Sequence, residues 1–496
     1  MKFSILIILL ITISTIESKD KLIFVMTHFR HGARAPQRFY DKDEGTDFIK
    51  EKWENPGELT GIGQRMHFYL GLRNLLIYIE DNNFLSKKYD AHELLIYSSC
   101  LNRTIVSVSS QLQGLYPPYL NAGETIAHEQ EKFSKPPINV NLDDPRIGAD
   151  IINSLGKNAL PNSMTIAPIR MINSNEKKIR LYDTGPCKNK VEEIKEKNSK
   201  NIKTLLDIVN EFKQKYGEKF DKFYGKKENY DMKFIENVCD AFLSAYPEYP
   251  QTRKMEKLNT TGIFVDDFKQ YCDRFQILNF RDKILGDEKH SVAHLETSKL
   301  MKEFIHYMKE RIELDKNEEG QKKFDDYSKP KMILISGHDT TISCFEIFLM
   351  EALGKTLDFY RYPDFAAQIA FEVTTVDDDK KGKSFKEYFV NYYFNDELLS
   401  TLNVEEFIDK MEKQIWSEEY INEFCGFDEG KKNSNNKSNN QQNNNNESLM
   451  KVALFLFISL TGLFLIIIII LSLKFVGNKK SESKIDNSLI PSTEGE

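Results

Sequence analysis

Three apolar runs in this chain each stop abruptly at a polar cluster, and that arrangement admits few folds. The first is "KLIFVMTHFRHGARAPQRF", Lys21 to Phe39, in which Leu22 to Val25 has the β-branched and aromatic character of a buried strand. Gly32 and Pro36 punctuate the residues after it, so Arg30, His31 and Arg34 sit where a strand gives way to a loop. "HELLIYSS" reads as a second strand, with Arg103 just beyond it in "CLNRT". "KMILISGHDTTISCFEIFLMEAL" is a third, and it turns directly into a helix at His338 and Asp339. Polar residues gathered at the carboxyl ends of strands are the pattern of an open α/β sheet, where ligands bind.

Between these strands, "ELTGIGQRMHFYLGLRNLLIYI" places Leu59, Ile62, Met66, Leu70 and Ile77 at near-helical spacing, with Thr60 as N-cap. That predicts a helix packed on the sheet through its apolar stripe. The stretch from about 123 to 300 is rich in lysine, proline and long amphipathic segments such as "VEEIKEKNSKNIKTLLDIVNEFKQKY", with no clear strand series. It reads as a mainly helical lobe inserted into the α/β body. Helical pattern resumes at "AHLETSKLMKEFIHYMKERIEL", and "FAAQIAFEV" with "KEYFVNYYFNDELL" reads as a closing hairpin.

Two apolar ends set the compartment. Residues 1–18 carry a lysine at position 2 and the run "FSILIILLI", which reads as a secretory signal peptide. "VALFLFISLTGLFLIIIIILSL", Val452 to Leu473, has no charge and spans roughly 33 Å as a helix, enough for a bilayer core of about 30 Å. A single transmembrane helix is therefore expected over 450–473, with residues 474–496 as a cytoplasmic tail by the positive-inside rule. Residues 429–449, containing "KKNSNNKSNNQQNNNNES", have too little apolar surface to fold and read as a linker. The remaining 19–428 is one large luminal or extracellular body. Of 496 residues 40% are hydrophobic and the net charge is −7 with both signs mixed, which excludes the basic face of a nucleic-acid binder. Six widely spaced cysteines, Cys100, Cys187, Cys239, Cys272, Cys344 and Cys425, suit an oxidising lumen and form no CxxC; spacing alone leaves their pairing open. Sequons stand at Asn102, Asn259, Asn436 and Asn446.

Arginine offers planar, permanently charged donors suited to phosphate oxygens. Arg30, Arg34 and Arg103 converge with no carboxylate near them in sequence, and a phosphoryl group is the anion that fits. Positive neighbours push His31 toward the neutral imidazole, whose free lone pair can attack phosphorus. Asp339 supplies the proton for the leaving alkoxide, and the arginines with His338 offset charge on the equatorial oxygens. The scheme requires no metal and no other cofactor. Asp339 also stands where a helix N-cap would. His28 reads as a strand-end packing residue. His290 and His294, four apart, lack a further ligand and read as an ordinary helix surface.

These residues also carry a family resemblance. "RHGARAP" resembles the RHGxRxP signature of the histidine acid phosphatases, and "GHDTT" resembles their HD motif. "GELTGIGQRMHFYLG" is similar to the family's "GQLTxxGxxQHxxLG" helix, and "IYSSCLNRT" to its "RSTDxxRT" strand end, so the likeness runs from about Lys21 to Cys425. The resemblance implies a three-layer α/β/α body with a mixed central sheet, and an acid phosphatase of the lysosomal and prostatic type. Residue by residue, it implies His31 as the nucleophile forming a phosphohistidine and Asp339 as proton donor. Arg30, Arg34, Arg103 and His338 would then bind phosphate. It further implies a bridge from Cys187 in "DTGPCKN" to Cys425, a single-pass protein at the lysosome or cell surface, and a homodimer as one option.

The sequence departs from that pattern in places. Tyr97 and Cys100 replace the arginine and aspartate of "RSTD", neither of which does chemistry in this scheme. "YPDFAAQIAF" lacks the cysteine of "PPYASCH", so the disulfide set differs from the family's, with Cys239 to Cys272 as one option. A glycan on Asn102 would crowd Arg103, so that sequon is expected to stay unused, leaving Asn259, Asn436 and Asn446. A phytase, a lipid-phosphate phosphatase, and a catalytically silent receptor for a phosphorylated ligand are the rival readings. A pure binder would need the arginines but not Asp339.

Overall fold

The computed structural model describes residues 20–37, 55–134, 136–137, 153–172, 187–224, 230–248, 264–285, 292–316, 329–355, 360–377 and 386–426. The expected signal peptide 1–18, linker 429–449, membrane helix 450–473 and tail 474–496 lie outside them, as do Asn259, Asn436, Asn446 and His290. Among the described residues no helix is long and apolar enough to cross a membrane.

A mixed seven-stranded sheet forms the centre, in the order β3-β2-β4-β1-β5-β6-β7. Strand β1 is Lys21–Arg30, β2 Leu94–Ser99, β3 Arg170–Ile172, β4 Met332–Gly337, β5 Gln368–Asp377, β6 Lys386–Phe394 and β7 Glu397–Asn403. β1 is buried from Ile23 through Arg30, as a strand covered on both faces must be. It pairs parallel with β4, Arg30 opposite Gly337, and antiparallel with β5, Phe29 opposite Gln368. β2 runs parallel to β4 on its other side. Consequently β1, β2 and β4 all end at one edge, and β5 begins at that same edge.

Successive side chains of these strands feed two separate cores. Met26, Leu95, Ile333 and Ile335 join Phe304 and Met308 of the helix Val292–Lys316, and Phe345 and Phe348 of the helix Asp339–Ala352. Val25, Phe29, Ile96 and Leu334 join Leu75 and Tyr78, which continue the helix Gly61–Asn74, and Val108 and Leu112 of the helix Asn102–Leu115. In chain order these helices are α1 (Gly61–Asn74), α2 (Asn102–Leu115), α3 (Lys188–Asn201), α4 (Lys203–Tyr224), α5 (Met232–Ala245), α6 (Val265–Leu285), α7 (Val292–Lys316), α8 (Asp339–Ala352) and α9 (Val404–Glu412).

Thr60 caps α1 as its position predicts, accepting from the Gly63 amide. The buried face of α1, however, is Gly63, His67, Gly71 and Asn74, while Ile62, Met66 and Leu70 stay half-exposed. The reason lies in the crossing with α2. A Cβ on Gly71 would fall inside the van der Waals shell of the Gln111 carbonyl, and one on Gly114 inside that of Phe68. The two backbones touch directly, and glycine is the only residue that permits it.

Among the described residues of the inserted region, α-helices begin only at α3. Residues 153–172 contain short turns and the edge strand β3, which pairs with β2 and which the sequence pattern does not foretell. The long amphipathic segment breaks at Ile202 into α3 and α4. The lobe has its own aromatic core, including Phe212, Tyr216, Phe234, Phe268 and Phe275, with the Cys239–Cys272 disulfide inside it. Cys187 and Cys425 are each disulfide-bonded, and Cys100 and Cys344 are free thiols.

Candidate active site

The strand edge gathers the residues singled out from sequence. The His31 amide donates to the Gly337 carbonyl at 3.1 Å, suturing the end of β1 to that of β4. His31 is buried, and its Nδ1 lies 2.9 Å from the Gly32 carbonyl. A carbonyl only accepts, so Nδ1 carries the proton and Nε2 keeps its lone pair. The His31 and His338 rings meet edge-on, centroids 5.5 Å apart. His338 is the N-cap of α8 and Asp339 its first residue, so the capping role considered for Asp339 belongs to its neighbour.

Arg30 contacts Asp339 Oδ2 at 2.7 Å and donates to the Pro363 carbonyl at 2.8 Å. Arg34 donates to Asp240 at 2.5 Å and to Ser244 at 3.1 Å, both on lobe helix α5. Two of the arginines therefore do have carboxylate partners, brought from far along the chain. Arg103, in the first turn of α2, approaches His338 Nδ1 at 3.5 Å. Since arginine only donates, His338 Nε2 holds the proton and donates it to Ser99 Oγ at 2.9 Å. Ser99 in turn lies 2.8 Å from Thr104 Oγ1, so the tautomer is pinned by a short hydroxyl chain.

Residues 21–395 match the profile described as the histidine phosphatase superfamily, branch 2. The chain belongs to that superfamily. It is 34% identical over 117 residues to lysosomal acid phosphatase of Xenopus laevis, covering 23% of this chain and 26% of that protein. With human lysosomal acid phosphatase it shares 35% identity over 98 residues, 20% of this chain and 22% of the relative. These matched stretches thus span about a quarter of the relatives' length. Among solved structures, a phytase of Hafnia alvei in complex with tartrate superposes with a TM-score of 0.50 at 13% identity, over 82% of this chain and 98% of that one, a likeness of fold.

Within this branch 2 member, charge and burial act together on the site. Burial, then Arg30, His338, Arg34 and Arg103, hold the His31 imidazole well below its usual range. Burial first and Arg103 next do the same to His338. Burial pushes the Asp339 carboxyl up, but Arg30, Arg34, His338 and the Thr340 amide outweigh it and leave it below the usual carboxylate range. The resting site is thus two neutral imidazoles among three guanidiniums, with an ionised Asp339 on one of them.

Sequence reasoning missed four contributors. Tyr362 donates to Asp339 Oδ2 at 3.0 Å, and the Phe365 ring lies under the Arg30 guanidinium, 4.3 Å away. Asp240 and Ser244 reach in from the lobe. Asp240 and Ser244 stand in no motif, while Tyr362 and Phe365 fall in "YPDFAAQIAF", where position at the shared strand edge is the only chemical signal that marks them. His28 is buried against Thr341 Oγ1 at 3.2 Å, the packing role expected of it. His294 is likewise buried, stacked on Trp416, not on a helix surface as expected. Asn102 is exposed and donates to Glu58 at 3.0 Å. Among the described residues no group of three or more His, Cys, Asp and Glu is placed to hold a metal ion.

Proposed function

We propose that this protein is an acid phosphatase that hydrolyses phosphate monoesters through a phosphohistidine on His31. One observation carries the reading: a buried imidazole with an unprotonated Nε2 stands among Arg30, Arg34 and Arg103, with Asp339 on the first of them. Three guanidiniums around a neutral nucleophile favour an anionic substrate with an electrophilic phosphorus.

In the first half-reaction, His31 Nε2 attacks phosphorus, the ester P–O bond breaks, and the leaving oxygen takes a proton from Asp339. Water then attacks the phosphohistidine, Asp339 takes up its proton, and phosphate leaves with His31 neutral again. Arg30, Arg34 and Arg103 hold the phosphoryl oxygens throughout, and His338 joins them when the incoming negative charge brings a proton onto its Nδ1. Asp339 is ionised at rest, so the first step needs it reloaded. An arriving phosphate does this by adding negative charge beside the carboxyl and drawing Arg30 away, both of which raise its proton affinity. Acid favours the same state and the singly charged ester, whose second pKa is near 6.

The proposal includes a Cys187–Cys425 bridge, glycans on Asn259, Asn436 and Asn446, and a luminal body held by the 450–473 helix at the lysosome or cell surface. Substrate beyond a phosphate monoester is left to profiling, with inositol and lipid phosphates as the alternatives.

His31→Ala is expected to abolish p-nitrophenyl phosphate turnover while leaving the melting temperature within a few degrees of wild type. Acid-labile, alkali-stable labelling after a brief pulse with a labelled monoester should vanish with it. Normal turnover in the variant would exclude the nucleophile. Phosphate binding without turnover in the wild type would favour the receptor reading.

A further inference from the structure

The proton donor is held from a second side by a residue outside the "RHGARAP" and "GHDTT" motifs. Asp339 Oδ1 accepts from the Thr340 amide at 2.8 Å, while Oδ2 takes both Arg30 at 2.7 Å and the Tyr362 hydroxyl at 3.0 Å. Tyr362 is itself fixed on both flanks. Tyr360 donates to Ser343 at 2.7 Å and the Arg361 amide to Glu346 at 3.3 Å, tying the strap of residues 360–367 ahead of β5 to α8. The Pro363 carbonyl receives Arg30, and Phe280 of lobe helix α6 packs on the Tyr362 ring with centroids 5.1 Å apart. The hydroxyl therefore has one place to point.

We propose that Tyr362 is a positioning residue for proton transfer: its hydroxyl holds Asp339 Oδ2 toward the leaving oxygen once a phosphoryl group has drawn Arg30 away. The inference rests on the reading of Asp339 as proton donor. During the step, Asp339 Oδ2–H gives its proton to the ester oxygen as the P–O bond breaks. Tyr362 keeps its own proton and donates to the carboxylate that results. The charged and titratable groups around this carboxyl are Arg30 at the end of β1 and Arg34 beyond it, His338 on its own turn, Tyr362 on the strap, and Asp240 and Asp364 near Arg30.

Tyr362→Phe keeps the ring on Phe280 and removes only the donor. A displaced p-nitrophenolate needs little protonation, whereas an alkoxide needs a full proton. The variant is expected to lose about tenfold in kcat/KM on glycerol 2-phosphate and under twofold on p-nitrophenyl phosphate, a fold-change typical of acid catalysis lost in part. Equal losses on both esters, or none, would overturn the assignment. A second arm needs no turnover. Sulfate stays dianionic across the working range, and its affinity by calorimetry should rise as Asp339 protonates and releases Arg30. Without the Tyr362 donor the carboxylate is less stabilised, so that rise should move to higher pH in the variant. An unmoved midpoint would remove the coupling. If the wild type turns over no monoester, the phosphatase reading fails, and the sulfate arm still decides whether Tyr362 acts on Asp339.

Discussion

Asp240 lies against the guanidinium of Arg34 at 2.5 Å, with its side chain 30% exposed, and so occupies donors that a phosphate would use. A pair between a buried guanidinium and a carboxylate still partly open to solvent is worth about 1 kcal/mol after screening. Asp240→Asn is therefore expected to tighten inhibition by inorganic phosphate about fivefold, the affinity equivalent of that energy. Weaker inhibition would mean that Asp240 orients Arg34 instead of competing for it. From sequence, Arg30 and Arg34 looked unpartnered because their carboxylates come from α8 and α5, far along the chain. The residue types were readable, since a histidine among arginines has few other uses. Their resting partners were not, because proximity across a folded sheet leaves no trace in local spacing.

At the scale of elements, the crossing of α1 on α2 is set by glycine. Gly71→Ala should cost about 1–3 kcal/mol by overpacking, although alanine gains about 1 kcal/mol of helix propensity. Gly61→Ala, at the start of the same helix, meets nothing within 4 Å and should be neutral or mildly stabilising. Thermal melts of the two variants make the comparison; equal melting temperatures would contradict the backbone contact. The same crossing explains what hydropathy could and could not reveal. Strands β1, β2 and β4 were legible because burial on both faces demands continuous apolar runs. The start of α1 was legible through Thr60, but its buried face was not, because a hydropathy stripe records methyl groups and not the absence of a Cβ. Three-residue β3 is too short to carry any period.

For the whole molecule, burial lowers His28 to about 3 and His67 to about 4, and keeps His31 and His338 well below their usual value. The unfolded chain binds these protons near pH 6.5, so stability contributed by neutral burial is lost as pH falls from about 6.5 toward about 4, at about 1.4 kcal/mol per unit for each group. Glu346, raised to about 8 by burial, and Glu372, also raised, act in the opposite direction, fully stabilising below about 4.5. Four histidines outweigh two carboxyls, and the melting temperature should drop between pH 6.5 and 4.5; a rise would contradict neutral burial. The sheet order has one more consequence. The first strand made is the middle one, and both of its neighbours, β4 and β5, lie beyond residue 330. During synthesis an apolar ribbon with two open edges must wait through most of translation for its partners. Such an edge is a template for the wrong pairing, so a nascent chain stalled before β4 would need a chaperone to shield it.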